Sequence, residues 1–276
     1  MNFPGLVRCV AEAQSSQDRL SVALIQAELR WQDPSANRAH LAELMDQTPG
    51  ADLYLLPEAF STGFLGDLDG PAETLDGATV AWMRAQAAER SALLAGSLAL
   101  DVDGHRCNRM LVVDAAGIQT HYDKHHLFGF GGEDERYTAG TRHSVLDWCG
   151  WRLDLQICFD LRFPVWCRNT RDFDVQLFVA NWPRPRVEAW CSLLKARAIE
   201  NQSYVIGVNC TGRHGNGIEY PGRSSAWGPQ GECLVELDDA EAVAMVELDR
   251  SALDDFRRQF PFLADADSFT IQTPSP

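Results

Sequence analysis

Three residues of this chain could act on one another chemically, and each closes an apolar run. Glu58 follows LYLLP, Lys124 sits in HYDKHHLFG, and Cys158 sits in DLQICFDLRFP. A cysteine is a strong nucleophile once ionised, but a free thiol with a pKa of about 8.5 is mostly protonated at neutral pH. A carboxylate within reach can take the proton. An ammonium can stabilise the oxyanion formed when sulfur attacks a carbonyl. The same neighbours are expected to favour the thiolate, so that Cys158 would react first with an electrophile such as iodoacetamide. Taken singly, each residue has an ordinary reading: Glu58 as a helix cap or solvent acid, Lys124 as a surface lysine, Cys158 as a buried structural thiol. Spacing alone does not choose between these readings.

Positioning the three side chains requires elements that end beside them. Apolar β-rich runs alternate with helical patterns. Strands are predicted at 22–26, 52–57, 92–98, 109–113, 118–122, 144–148, 152–159, 175–180, 204–209, 224–227, 233–237 and 242–248. Helices are predicted at 37–47, 79–90, 187–202 and 250–259. Asp33 before Pro34 offers an N-cap followed by proline at the first helical position. Hairpins interrupt the alternation, which argues for an α/β fold with mixed sheets rather than a simple doubly wound one. The strands are too many for one comfortable open sheet. Two mixed sheets face to face with helices outside is the expected architecture. Function in such folds sits on loops just beyond strand ends. No Pro/Ser/Gly-rich linker and no repeat divides the chain. We read residues 1–19 as a lead-in, 20–265 as a single domain and 266–276 as a tail.

At 276 residues the chain is long enough for a large core, and its 45% hydrophobic and 23% charged residues are ordinary for a globular protein. The net charge of −15 repels phosphate backbones and anionic lipid, so neither nucleic acid nor membrane is an expected partner. No apolar run approaches the roughly 18 residues that span a bilayer, and the opening MNFPGLVRCV lacks a signal-peptide core. The eight cysteines show no CxxC and no ligand spacing. They read mostly as small buried hydrophobes in a reducing cytoplasm, with no structural metal expected.

LLPEAFSTGF, YDKHHLF and LQICFDLRFP together resemble the nitrilase or carbon–nitrogen hydrolase superfamily. NWPRPRVEAWCSLLKARAIENQSYVIGVNCTG and GRSSAWGPQGECL resemble its second half. The likeness runs from about residue 20 to about 262. It implies an α-β-β-α sandwich, a Glu-Lys-Cys triad and hydrolysis of non-peptide C–N bonds, without metal or organic cofactor. Residue by residue, it places the base on Glu58, the lysine on Lys124 and the nucleophile on Cys158. It also implies a second glutamate after the lysine, which matches Glu133 in FGGEDERYTAG by its distance from Gly140, with Glu135 as the fallback. The backbone N–H of Phe159 would share the oxyanion with Lys124.

Substrate selection rests on Arg162 and Trp182. Arg162 lies four residues after Cys158, where a guanidinium fork could hold a carboxylate bidentately. Its ordinary reading is an ion pair with Asp160 or Asp172. Trp182, after the strand at 175–180, would be an apolar wall, or simply core. A compact pocket with one carboxylate anchor suits a small ω-amide of a dicarboxylic acid. The NWPRPR and RAIENQ segments look most like the omega-amidase branch, which implies 2-oxoglutaramate or 2-oxosuccinamate as substrate and water as co-substrate. The alternatives are an N-carbamoyl amine, an aliphatic amide or deaminated glutathione on the same triad. Two others are a Cys-His hydrolase with His125 or His126 as base, and a non-enzymatic thiol-bearing interaction module. Surplus apolar residues at 187–202 and 256–269, including Phe256, Phe260, Phe262, Leu263 and Phe269, lead us to expect a homodimer.

Overall fold

The computed structural model describes residues 18–66, 70, 72–215 and 217–272. The predicted lead-in lies outside these apart from its last two residues, and residues 273–276 of the predicted tail lie outside them too.

The first half of the chain builds one six-stranded sheet. Its strands are β1 (Arg19–Gln26), β2 (Leu53–Leu55), β3 (Leu93–Val102), β4 (His105–Asp114), β5 (Gly117–Asp123) and, from the C-terminal end of the chain, β14 (Ala242–Asp249), in the order β14-β1-β2-β3-β4-β5. The second half builds its counterpart. This holds β6 (Val145–Trp148), β7 (Trp151–Ile157), β8 (Val175–Ala180), β9 (Tyr204–Asn209), β12 (Ser225–Trp227) and β13 (Cys233–Glu236), in the order β13-β12-β9-β8-β7-β6. β1, β2 and β3 are mutually parallel, as are β7, β8 and β9, while hairpins add antiparallel edges. Arg19 already pairs with Asp249, so the first strand takes in the last residue of the lead-in.

Strand periodicity explains the layering. Val22, Leu24, Leu53, Leu55, Leu93, Ala95, Met110 and Val112 point into the space between the sheets, where they meet Leu153, Leu155, Val175 and Leu177. Their neighbours Ala23, Ile25, Tyr54, Leu94, Leu111 and Val113 point the other way. There they pack against Leu41, Leu44 and Met45 of α1 (Pro34–Met45) and Met83 and Ala87 of α2 (Ala78–Arg90). On the far side, Trp190, Leu194 and Ala198 of α4 (Val187–Asn201) cover the second sheet. Strands covered on both faces are apolar on both, which is why they read as runs rather than alternations. The result is the α-β-β-α sandwich.

Most elements fall where the periodicity places them. The α1 cap forms as expected, with Asp33 accepting from the Ala36 N–H at 3.0 Å. Three differences have physical causes. The strand predicted at 152–159 ends at Ile157, because Cys158 turns into a left-handed φ of 45° and opens a 3-10 turn, Cys158–Arg162. A short hairpin, β10 (Thr211–Arg213) with β11 (Glu219–Pro221), carries too few residues for a period to register. The single-turn helix α3 (Pro164–Cys167) is likewise too short to show one. The last helix, α5 (Arg250–Gln259), is found as predicted.

Among the described residues no helix is long and apolar enough to cross a membrane.

Candidate active site

Each predicted triad member stands just beyond a strand end, and the two sheets bring all three to one place. Glu58 follows β2. Its turn is held to β3 by Ser97, whose hydroxyl accepts from the Ala59 N–H (2.9 Å) and whose carbonyl accepts from the Phe60 N–H (3.1 Å). Lys124 follows β5, with its N–H on the Asn108 carbonyl (3.0 Å) and its carbonyl on the Gly140 N–H (2.9 Å). Gly140 must be glycine for this closure, since a Cβ there would come within 2.1 Å of the Asp123 carbonyl oxygen.

The Lys124 ammonium is 1% exposed and donates to Glu58 Oε1 and Glu133 Oε2, both at 2.8 Å. Burial alone would lower its pKa. Glu133 and Glu58 outweigh that and raise it well above the ordinary lysine value, so the group is held as an ammonium. Glu133, not Glu135, is the second glutamate of the cluster. It is fully buried and also accepts from the Phe128 N–H at 2.7 Å, whereas Glu135 faces solvent. Burial raises the Glu133 pKa, and Lys124 opposes that rise.

Cys158 and the Glu58 carboxylate line the same cleft. Its electrostatics correct the expectation of a ready thiolate. Burial pushes the thiol well above its ordinary pKa, Glu58 pushes it further, and Lys124 offsets this only in part. Burial and the neighbouring carboxylate both favour the neutral thiol over the thiolate.

The turn carrying Cys158 is fixed by Asp160, which is fully buried. Its Oδ2 accepts from the Tyr122 hydroxyl (2.8 Å) and the Ile157 N–H (3.2 Å). Its Oδ1 accepts from the His126 N–H (2.9 Å) and pairs with His126 Nδ1 (2.8 Å). A left-handed φ at a cysteine costs on the order of 1–3 kcal/mol, and this network is what holds it. The histidines belong to this support. His125 stacks on Trp166 and His126 on Phe163, and neither lines the cleft over Cys158.

That cleft is small and is walled by Phe64, Phe128, Phe159 and Trp182. Trp182 is 2% exposed, with its N–H on Asn209 Oδ1 (2.7 Å) and its indole N–H on the Arg186 carbonyl (2.7 Å), so it is both wall and core. Arg162 also lines the cleft, with its guanidinium 4.9 Å from the Trp182 ring centre. It forms neither ion pair weighed for it: Asp160 faces Tyr122 and His126, and Asp172 pairs with Arg152.

Sequence reasoning missed three residues here. Arg186 lines the cleft 5.0 Å from the Phe128 ring centre, and burial lowers its pKa. Among the described residues neither it nor Arg162 has a carboxylate partner. Asn181, directly after β8, donates its backbone N–H to Glu58 Oε2 (2.8 Å) and its side-chain amide to the Glu58 carbonyl (2.6 Å). Asn108, on β4, donates to both glutamates. NWPRPR could have flagged Asn181 and Arg186, but a lone asparagine in an apolar strand gives no signal. No cluster of three or more His, Cys, Asp or Glu among the described residues is placed to hold a metal ion.

The family profile described as carbon-nitrogen hydrolase matches residues 21–258, nearly the whole described chain. The chain belongs to the carbon–nitrogen hydrolase family. The omega-amidase YafV of Escherichia coli (strain K12) is 42% identical over 253 residues, covering 91% of this chain and 98% of that protein. The 2-oxoglutaramate amidase of Bacillus subtilis (strain 168) is 32% identical over 251 residues, covering 89% and 96%. Among solved structures, XC1258 from Xanthomonas campestris is described as a CN-hydrolase superfamily protein with an arsenic adduct in the active site. It superposes with a TM-score of 0.89 at 42% identity, covering 92% of this chain and 99% of that one. A carbon–nitrogen hydrolase needs a nucleophile, a base and an oxyanion holder within reach of one carbonyl. Cys158, Glu58 and Lys124 line one cleft, where groups of those types could meet a single carbonyl.

Proposed function

We propose that this carbon–nitrogen hydrolase is a thiol amidase that releases ammonia from a small ω-amide of a dicarboxylic acid, of the 2-oxoglutaramate or 2-oxosuccinamate type. The observation that carries the reading is a small cleft with a buried Glu58–Lys124–Cys158 cluster and two arginines without carboxylate partners, in a protein of net charge −15. A substrate carboxylate on Arg162, with Arg186 beside it, would leave the amide carbonyl over sulfur. The names of the E. coli and B. subtilis relatives support the same substrate class.

Glu58 accepts the Cys158 proton as sulfur bonds to the amide carbon. The new oxyanion is held by the Lys124 ammonium and the Phe159 N–H. The C–N bond then breaks, Glu58 returns its proton to the leaving nitrogen, and ammonia departs from a thioester. Water attacks the thioester with Glu58 again as base. The C–S bond breaks, the dicarboxylate leaves, and the thiol is restored. Glu133 acts through Lys124, which it holds in place.

The test is ammonia release measured over succinamate, 2-oxoglutaramate, neutral amides of the same length, N-carbamoyl amines and nitriles. The ω-amides bearing a carboxylate are expected to exceed neutral amides in kcat/KM by at least about tenfold, the worth of one charge-assisted contact. Fastest turnover of an N-carbamoyl amine, or no preference for the carboxylate, would overturn the substrate assignment.

The same reading includes a homodimer in a reducing cytoplasm. Every described cysteine is a free thiol. Val165 on α3, Ile199 on α4, and Phe260, Phe262 and Phe269 near the C-terminal end are exposed. Sedimentation at micromolar concentration is expected to give twice the chain mass, and a monomer would refute the dimer.

A further inference from the structure

The Asn108 carboxamide lies at the centre of the buried cluster, yet nothing in the chemistry above uses it. Its Nδ2 stands 2.8 Å from Glu58 Oε1 and 3.0 Å from Glu133 Oε1, while Lys124 Nζ stands 2.8 Å from Glu58 Oε1 and from Glu133 Oε2. The two glutamates are thus joined twice, once by an ammonium and once by a neutral amide, in a closed ring of four hydrogen bonds. The amide nitrogen is the end turned toward the two carboxylates, since an oxygen there would face two acceptors. Its other end is costly. Asn108 is 3% exposed, and its Oδ1 has no hydrogen-bond partner among the described residues. A buried carbonyl without a partner costs on the order of 1–3 kcal/mol, and native folds keep few of them.

We propose that Asn108 is a positioning residue that keeps Glu58 and Glu133 ionised side by side, so that Glu58 stays free to take the Cys158 proton while Glu133 holds Lys124. The physical need is plain. Two carboxylates sharing one ammonium in a buried site repel each other, and one would take up a proton unless a further donor faced both. The other titratable groups nearby do not supply that donor. Cys158 is the group being deprotonated. Cys210 donates to Asn181 Oδ1, the Arg162 and Arg186 guanidiniums lie over Trp182 and Phe128, and among the described residues neither these arginines nor the Tyr137 phenol donates to either glutamate. Asn108 reaches the spot from the start of β4, where its carbonyl accepts from the Lys124 N–H just beyond β5 and Ala99 of β3 pairs with it on the other side.

This inference rests on Glu58 as base to Cys158, and the experiment separates its failure from a failure of that reading. Two rates are followed against pH in wild-type protein and in Asn108→Leu and Asn108→Asp: ammonia release from succinamate, and alkylation of Cys158 by iodoacetamide followed by peptide mass. The second needs no assumption about the amide substrate. In Asn108→Leu the acid limb of both profiles is expected to move up by about one pH unit, with kcat at the optimum down at least about tenfold and KM within about twofold. Asn108→Asp replaces the donor with a third carboxylate of the same shape, so its limb should move further in the same direction. A lower melting temperature with unmoved acid limbs would overturn the proposal and leave Asn108 a folding residue. Should the leucine variant not fold, the isosteric aspartate variant alone decides: a wild-type profile there overturns the proposal.

Discussion

Cys158→Ala is expected to abolish ammonia release, by at least about a thousandfold, while leaving the sandwich folded. Removing a nucleophile disables the whole set of groups that serve it, so the loss is far larger than a lost contact would give. The variant should keep its circular-dichroism spectrum and melt within a few degrees of wild type, because the lost sulfur is small and the Asp160 network still holds the turn. Cys158→Gly is the sharper control. It also lacks sulfur, but it adopts φ 45° without the strain a Cβ brings, so it should be inactive without being destabilised by that strain. Cys167→Ala and Cys210→Ala remove equally buried thiols and should retain most activity. If either of them, and not Cys158→Ala, were the inactive variant, the nucleophile would have to be reassigned. The raised pKa of Cys158 adds a second expectation. Glu58→Gln removes the base and with it the charge that pushes the thiol up, so turnover should collapse while slow alkylation of Cys158 persists.

Arg162→Met is expected to lower kcat/KM for succinamate and 2-oxoglutaramate by about tenfold to a hundredfold, with little effect on a neutral amide of the same length. A charge-assisted hydrogen bond is worth roughly 1.5–3 kcal/mol, and each 1.36 kcal/mol is a factor of ten. Arg162→Lys keeps the charge but not the planar fork that lies over Trp182, so it should recover only part of the loss. Arg186→Met should show the same selectivity for charged substrates, since the two guanidiniums share the cleft. Equal losses on charged and neutral amides would mean that Arg162 supports the nucleophile turn, and another residue would then have to hold the carboxylate.

Family motifs and apolar runs were enough to reach the layered fold and to single out Glu58, Lys124, Cys158 and Glu133. A strand buried on both faces must be a run of apolar residues, and a polar residue at the end of such a run stands out. The same logic failed where elements are too short to hold a period, as in β10, β11 and α3. It also carried the β7 strand two residues past Ile157, since nothing local announces the turn at Cys158.

Tertiary structure alone decided the electrostatics and the supporting cast. Residue types suggested a thiolate at Cys158, because a lysine was expected near it. The fold buries the thiol and sets it against a carboxylate, which raises its pKa instead. Asn108, Asn181 and Arg186 join the site from separate strands and loops, so their roles depend on distances that exist only once the two sheets have closed on each other. Asp160 looked like an ion-pair partner for Arg162, but the turn points it back at Tyr122 and His126. By itself, the sequence determined which groups can do chemistry and which strand ends present them, because both follow from side-chain type and local hydrophobicity. Which groups meet, and in what charge state, was decided by packing, because burial and neighbouring charge are properties of the assembled fold.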